Sequence, residues 1–225
     1  MHDGGVGVKV YSGPMSFYGA KVLIAAIEKG LPIEVEFLGF DLRSPTPYGR
    51  HDEVDRINPK RQVPVLIDGP LELFDSTVIA EYFEDLVPSR PLWPATIRDR
   101  ARARLLEMKI DEIWFPKILR LRDLRWTPDA AESAECRAVV RAFYEGLEET
   151  LGDRDFLVAS FSNADIAAYL AQLFAAMLGE PMPAEFKALN AWRKRIEARP
   201  SVAKVCGDML DHLAAARFPA PQFAA

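Results

Sequence analysis

The chain is poor in the residues that staple or metallate small proteins: among 225 residues there are two cysteines and three histidines. Cys136 and Cys206 lie far apart in helix-like stretches and form neither a CxxC pair nor a disulfide framework. Both read as small buried apolar residues in a reducing, cytoplasmic setting. His2, His51 and His212 are scattered, so no metal site is expected, and no Ser/His/Asp arrangement stands out. No run approaches the roughly 20 apolar residues of a membrane helix. The opening MHDGGVGVKV has neither the basic start nor the long apolar core of a secretory signal. A large excess of one charge is also missing. Lys and Arg number 28 against 33 Asp and Glu, a formal charge of −5. That balance argues against a nucleic-acid partner, which calls for a basic face, but leaves room for a local basic pocket.

What is present is core material. Hydrophobic residues make up 49% and charged residues 27%, enough for one large or two small globular domains. Val8 to Ser12 reads as a strand. Phe17 to Gly30 reads as a helix with Val22, Leu23, Ala26 and Ile27 on one face. Ile33 to Phe37 reads as a second strand. Val65 to Ile67, Asp68-Gly69 and Leu71 to Phe74 form a hairpin signal. Asp75 to Leu86 reads as a helix with Val78, Ile79, Tyr82, Phe83 and Leu86 on one stripe. Strands joined through a helix should run parallel and hairpin strands antiparallel, which predicts a mixed four-stranded sheet with helices packed on it.

VPSRPLWPAT, with prolines at 88, 91 and 94, reads as a linker. Beyond it the patterns are helical, over roughly 97–125, 129–151, 163–178, 184–198 and 201–216. The expected division is an α/β domain over 1–87, a linker over 88–96, and an all-helical domain over 97–225.

Four stretches carry chemistry. GPMSFYGAKV places Ser16 where a strand ends and a helix begins. NPKRQVPVL (58–66) contains Val63-Pro64, a candidate cis bond at a strand start. FDSTVIAEYFED (74–85) puts Asp75 and Ser76 at a helix start, as caps or as an anion site. SNADIAAY (162–169) carries Ser162 and Asp165 in capping-box spacing. In this order and across both domains, the set resembles the soluble glutathione transferase family, of the serine type found in bacteria.

The resemblance implies a thioredoxin-like N-terminal domain that binds glutathione as co-substrate, without a metal. A cis Val63-Pro64 bond would turn the backbone of Val63 toward the cysteinyl unit of the tripeptide, as in strand addition. Ser76 would take the γ-glutamyl carboxylate and Asp75 the ammonium; most relatives carry Glu or Gln at the position of Asp75. Arg61 and Gln62, with Lys60 less well placed, would meet the glycyl carboxylate. Ser16-Phe17-Tyr18-Gly19 occupies the place of a CxxC pair without its sulfurs, so dithiol redox chemistry is unsupported. What survives is the hydroxyl of Ser16 beside a helix N-terminus, where a guest thiol would ionise more readily. Tyr11, late in the first strand, is the rival donor, and Ser12 a further one.

Phe17 and Tyr18, with Trp114, Phe115 and Ile118 from the helical domain, are candidate walls for a small hydrophobic electrophile; ordinary packing is the alternative for each. Asp165 is expected to fold a helix and not to act as a catalytic acid. Arg98, Arg100, Arg102 and Arg104 read as a solvated or subunit-facing side, and the polar stretch 41–56 as a flap over the glutathione side. The implied activity is addition of the glutathione thiolate to an electrophile by a cytoplasmic homodimer acting in detoxification. Isomerisation, dehalogenation or peroxide reduction on the same site are alternatives, as is a binding module without activity.

Overall fold

A computed structural model describes residues 7–41, 43–44, 47–217 and 221. His2 and, within the expected flap, Leu42, Pro45 and Thr46 lie outside the described residues. The chain forms two compact units. The first runs to Arg90 and includes Val205–His212; the second takes Pro91–Lys204 and the residues from Leu213.

In the first unit the elements are β1 (Val8–Ser12), α1 (Phe17–Lys29), β2 (Ile33–Phe37), α2 (Asp52–Ile57), β3 (Val65–Asp68), β4 (Leu71–Phe74) and α3 (Ser76–Leu86). The strands lie in the order β2-β1-β3-β4. β1 pairs with β2 in parallel, Val10 opposite Val35, while β1–β3 and β3–β4 are antiparallel. Side chains alternate across this sheet. Tyr11 and Val65 face a cluster with Val54 of α2, Leu38 and Val63. Val8 and Val10 point the other way, where α1 and α3 pack against each other. A fully buried aliphatic side chain in such a core contributes about 1.5–3 kcal/mol.

Two helical faces differ from the sequence reading. On α1, Ile24 and Ala25 join Val22 and Ala26 in the core, while Leu23 is half-buried and Ile27 exposed. On α3, the buried set is Ser76, Ile79, Ala80 and Phe83, and Val78 is exposed. Helical period fixes the width of an apolar stripe; contact with the sheet fixes its centre. The hairpin also turns one residue later than the Asp-Gly signal suggests. Asp68 still pairs with Leu71, and Gly69, at φ 56°, and Pro70 form the bend. Proline's fixed negative φ suits the second central position of a II′ turn, which needs glycine at the first.

α1 ends as its sequence dictates. Gly30 adopts φ 66° and the Leu31 N–H returns to the Ala26 carbonyl. The buried Lys29 ammonium bonds to Glu84 and to the Val87 carbonyl (3.0 Å), which ties the end of α1 to α3.

The second unit holds α4 (Ile97–Lys109), a π-helical turn (Ile110–Trp114), α5 (Phe115–Asp123), α6 (Ala130–Leu151), α7 (Asn163–Met177) and α8 (Lys187–Glu197); α9 (Pro200–Ala215) contributes its ends. The stretch 97–125 is thus one helical path with a bulge. Pro116 has no N–H for the carbonyl four residues back. The widened turn absorbs this, with the Phe115 N–H reaching back five residues to Ile110. α7 is buried on nearly every side and rich in alanine, so its neighbours approach closely. Trp93, within the expected linker, is buried against Ala103, Val158 and Ala164, and the Leu92 carbonyl accepts the Asn163 N–H (3.0 Å).

Candidate functional site

Strand register brings three of the four motifs to one edge of the sheet. Tyr11 pairs with Val65, and Val65 with Phe74. One residue beyond these pairs come Ser12, the last residue of β1, Pro64, just ahead of β3, and Asp75, just after β4. Neighbouring strands are about 4.8 Å apart, so the row from β1 to β4 spans roughly 10 Å, the length of a short extended peptide. The N-termini of α1 and α3 open onto the same edge.

Ser16 is the N-cap of α1, with extended backbone (φ −84°, ψ 117°). Its Oγ accepts the Gly19 N–H at 3.0 Å, its own N–H donates to the Gly13 carbonyl at 3.0 Å, and the residue is 6% exposed. A cap of this kind is worth about 1 kcal/mol. The hydroxyl proton is not consumed by capping, because the oxygen acts there as acceptor. Ser12 lies just beneath. A Cβ built on Gly19 would collide with Ser12 Oγ, and Ser16 Oγ would be 3.2 Å from it. Ser12 is fully buried, and its hydroxyl has no hydrogen-bond partner among the described residues.

The Val63-Pro64 bond is cis, and both residues are buried. Asp75 caps α3, with Oδ1 accepting from the Thr77 N–H (2.9 Å) and the Val78 N–H (3.3 Å). It does so at φ 79°, in the left-handed half of backbone space, which costs a non-glycine residue about 1–3 kcal/mol. Ser76, the first helical residue, is buried. Arg61, at φ 56°, and Gln62 are exposed on the loop before β3.

Comparison with known proteins shows the family. The model of the glutathione S-transferase N-terminal domain matches residues 15–86, and that of the C-terminal domain residues 104–200. The chain belongs to the glutathione S-transferase family. It is 32% identical over 124 residues to the stringent starvation protein A homolog of Coxiella burnetii, a match covering 55% of this chain and 55% of that protein. The match thus spans about half the length of that relative. Poplar glutathione transferase F1 superposes with a TM-score of 0.78 at 24% identity, covering 92% of this chain and 100% of that one. Ure2p in complex with glutathione superposes with a TM-score of 0.77 at 23% identity, covering 88% and 93%. At these identities the superpositions carry the fold: a thioredoxin-like mixed sheet followed by a helical domain.

Within this family member, the remaining sequence expectations fall unevenly. Tyr11 is buried in the cluster on the α2 side of the sheet. Its ring packs on His51 (4.6 Å between centroids), and the Lys9 ammonium lies 4.9 Å from its centroid. That ammonium also pairs with Glu36 (2.8 Å) and Glu34 (3.3 Å). The hydrogen bond to Glu36, against a smaller effect of burial, raises the pKa of Lys9, and the same bond lowers that of Glu36.

Phe17 is buried and meets the half-buried Tyr18 edge-on (4.9 Å). Trp114, Phe115 and Ile118 are each at most 1% exposed. Trp114 stacks on Phe143 (4.3 Å, 9°) and meets Tyr144 edge-on, and Phe115 meets Phe174 edge-on (5.5 Å). All belong to the helical unit. These rings pack together in its core.

Sequence reasoning passed over Asn58. It is buried, and its side chain holds the loop ahead of β3: Oδ1 accepts the Lys60 N–H (2.9 Å) and Nδ2 donates to the Gln62 carbonyl (2.6 Å). The Arg61 N–H donates to the Asn58 carbonyl (2.7 Å). An asparagine before proline is a turn-forming signal, and that was the available clue.

Proposed function

We propose that the chain binds glutathione along the edge formed by β1, β3 and β4 and ionises its thiol at Ser16. The thiolate then adds to an electrophilic carbon of a small apolar compound. The observation that supports this reading is that the register of Tyr11 with Val65 and of Val65 with Phe74 brings the end of β1, the start of β3 and the end of β4 together, where the N-termini of α1 and α3 follow. In the pose this suggests, Ser76 and the first amide of α3 take the γ-glutamyl carboxylate. Asp75 has already committed Oδ1 to capping, so Oδ2 is the oxygen that meets the ammonium. The backbone of Val63 pairs with the cysteinyl unit, and Arg61 and Gln62 lie toward the glycyl end.

The thiol then arrives at the start of α1. Ser16 donates its hydroxyl proton to sulfur while its oxygen keeps the Gly19 N–H, so capping and catalysis use different sides of one group. The helix terminus adds a partial positive charge. Together they favour the thiolate, the nucleophilic form. A drop of one pKa unit from about 8.5 gives roughly tenfold more thiolate near neutral pH. Tyr11 is less suited to the role, since its ring serves the core and Lys9.

The test is Ser16→Ala beside wild type, followed by the ultraviolet thiolate band of bound glutathione against pH and by conjugation of a chlorinated nitroaromatic. A thiol midpoint raised by about one unit with roughly tenfold slower conjugation is expected. Unchanged midpoint and rate remove Ser16 from the mechanism. Product analysis separates conjugation from isomerisation, dehalogenation or peroxide reduction.

A second reading is a binding module without turnover in the same fold. The observation that favours it is the name of the Coxiella burnetii relative, a stringent starvation protein A homolog. Retention on immobilised glutathione without conjugation of any electrophile would favour the module. A homodimer acting in a reducing, cytoplasmic compartment belongs to the transferase reading. Both cysteines are buried as free thiols, and among the described residues no helix is long and apolar enough to cross a membrane.

A further inference from the structure

Two glycines bracket Ser16, and neither Gly13 nor Gly19 sits at positive φ. Each lacks a side chain because another residue occupies the space. At Gly19 the occupant is the Ser12 hydroxyl. At Gly13 it is an aromatic ring from a distant loop: a Cβ there would run into the Cε1 side of the Tyr48 ring, 2.1 Å from Cε1, with Cδ1 at 2.8 Å and Cζ at 2.9 Å. Tyr48 therefore lies directly on the β1–α1 turn, on the hydroxyl-bearing side of its ring.

The loop that delivers this ring is itself pinned. Phe40 and Tyr48 form an antiparallel bridge, and their rings meet at 4.9 Å. The Asp41 N–H donates to the Pro47 carbonyl and the Gly49 N–H to the Gly39 carbonyl, each at 2.8 Å. The Phe40 ring in turn meets His212 of the α9 stretch that belongs to this unit (5.6 Å). The carbonyl of Gly13, the residue against which the Tyr48 ring lies, accepts the Ser16 N–H at 3.0 Å.

We propose that Tyr48 is a positioning residue for Ser16: its ring clamps Gly13, and Gly13 holds the backbone from which the Ser16 hydroxyl reaches a bound thiol. This rests on the glutathione reading above. Ser16 sits on a short turn between a strand and a helix, and a turn is held in place by what packs on it. Ser12 supports the helix side and Tyr48 the strand side. Without the ring, the turn gains freedom, and the hydrogen bond to sulfur weakens more than the peptide contacts along β3 and β4.

The experiment uses the full chain with Tyr48→Ala, Tyr48→Phe, Gly13→Ala and the double variant Gly13→Ala/Tyr48→Ala. The readouts are the thiolate band of bound glutathione against pH, binding of S-methylglutathione (which has no thiol proton to lose), and far-ultraviolet circular dichroism. Tyr48→Ala is expected to raise the thiol midpoint by about one unit, roughly a tenfold loss of thiolate near neutral pH, while S-methylglutathione still binds. Tyr48→Phe, which keeps the ring, restores the midpoint. Gly13→Ala raises it as well, and in the Tyr48→Ala background it adds no further shift, because the ring it would strike is gone. An unmoved midpoint in Tyr48→Ala overturns the proposal. So does parallel loss of S-methylglutathione binding and helical signal, which would mark a purely structural residue. Wild type without any thiolate band refutes the glutathione reading, and the assignment of Tyr48 falls with it.

Discussion

Asp165 is a single carboxylate on which four buried donors converge. Oδ1 accepts the Leu157 N–H (3.0 Å) and the Trp192 indole N–H (2.9 Å); Oδ2 accepts the Ser162 N–H (3.0 Å) and hydroxyl (3.1 Å). The side chain ties the start of α7 to the preceding loop and to α8. Asp165→Asn keeps the volume but offers one oxygen. If that oxygen faces Leu157 and Trp192, the new NH2 group faces Ser162. The hydroxyl of Ser162 can reverse and accept, but its N–H is left pointing at another donor. One buried unsatisfied group costs about 1–3 kcal/mol. Asp165→Ala strands all four donors. At even the low end per group the loss is roughly 4 kcal/mol, a large part of the about 5–15 kcal/mol that holds a domain folded.

Urea unfolding followed by circular dichroism should rank wild type above Asp165→Asn and Asp165→Ala last. The pH dependence has a definite sign. Burial pushes the Asp165 carboxyl above its usual range, and its four hydrogen bonds pull it partly back. The folded state therefore binds the proton more tightly than the unfolded chain. This group's contribution to stability is greatest below the unfolded value and falls as pH rises through the raised folded value. Asp165→Asn removes that slope. Both variants lying within about 0.5 kcal/mol of wild type would refute the reasoning, since that is the range of ordinary surface changes.

Two further outcomes follow from the same geometry. Asn58→Ala removes the bonds to the Lys60 N–H and the Gln62 carbonyl and frees the loop ahead of β3; glutathione affinity should drop roughly tenfold, about 1.4 kcal/mol, with the thiol midpoint unmoved, as titration calorimetry beside the ultraviolet pH profile will show. Tyr82 donates its hydroxyl to Asp68 (2.5 Å), and burial together with this bond pushes its phenol up to about 12. The neutral phenol stabilises the fold fully below the ordinary value of about 10, and the gain is lost between about 10 and 12 as pH rises. Tyrosinate absorbance should show one phenol titrating in that upper window, and Tyr82→Phe should abolish it.

Much of the architecture was written in local pattern. The β-branched run at Val8 to Ser12, the Gly30 stop and the capping pair Ser162 and Asp165 each act on backbone within a few residues, and each is legible where it stands; the hairpin was legible too, with its bend one residue late. Family resemblance pointed to Ser16, Val63-Pro64 and Asp75-Ser76, but period alone misjudged which helical faces meet the sheet. The aromatic residues 114 and 115 illustrate the limit. Apolar rings on a long helix suit a ligand wall and a core equally, and the contacts with Phe143, Tyr144 and Phe174 came only with the packing of the helical unit.

The sequence by itself determined most of the elements, their order and the chemical groups at each strand end, because propensity, capping and turn chemistry are short-range; the short helix α2 (Asp52–Ile57), within the stretch read as a polar connection, was not among them. The tertiary structure decided which ends lie together. Register aligned Ser12, Pro64 and Asp75, the Asn58 side chain fixed a loop, and the Tyr48 ring came to rest on Gly13 from 35 residues away. Contacts between distant residues depend on how sheets and helices pack, and no local rule encodes that closure.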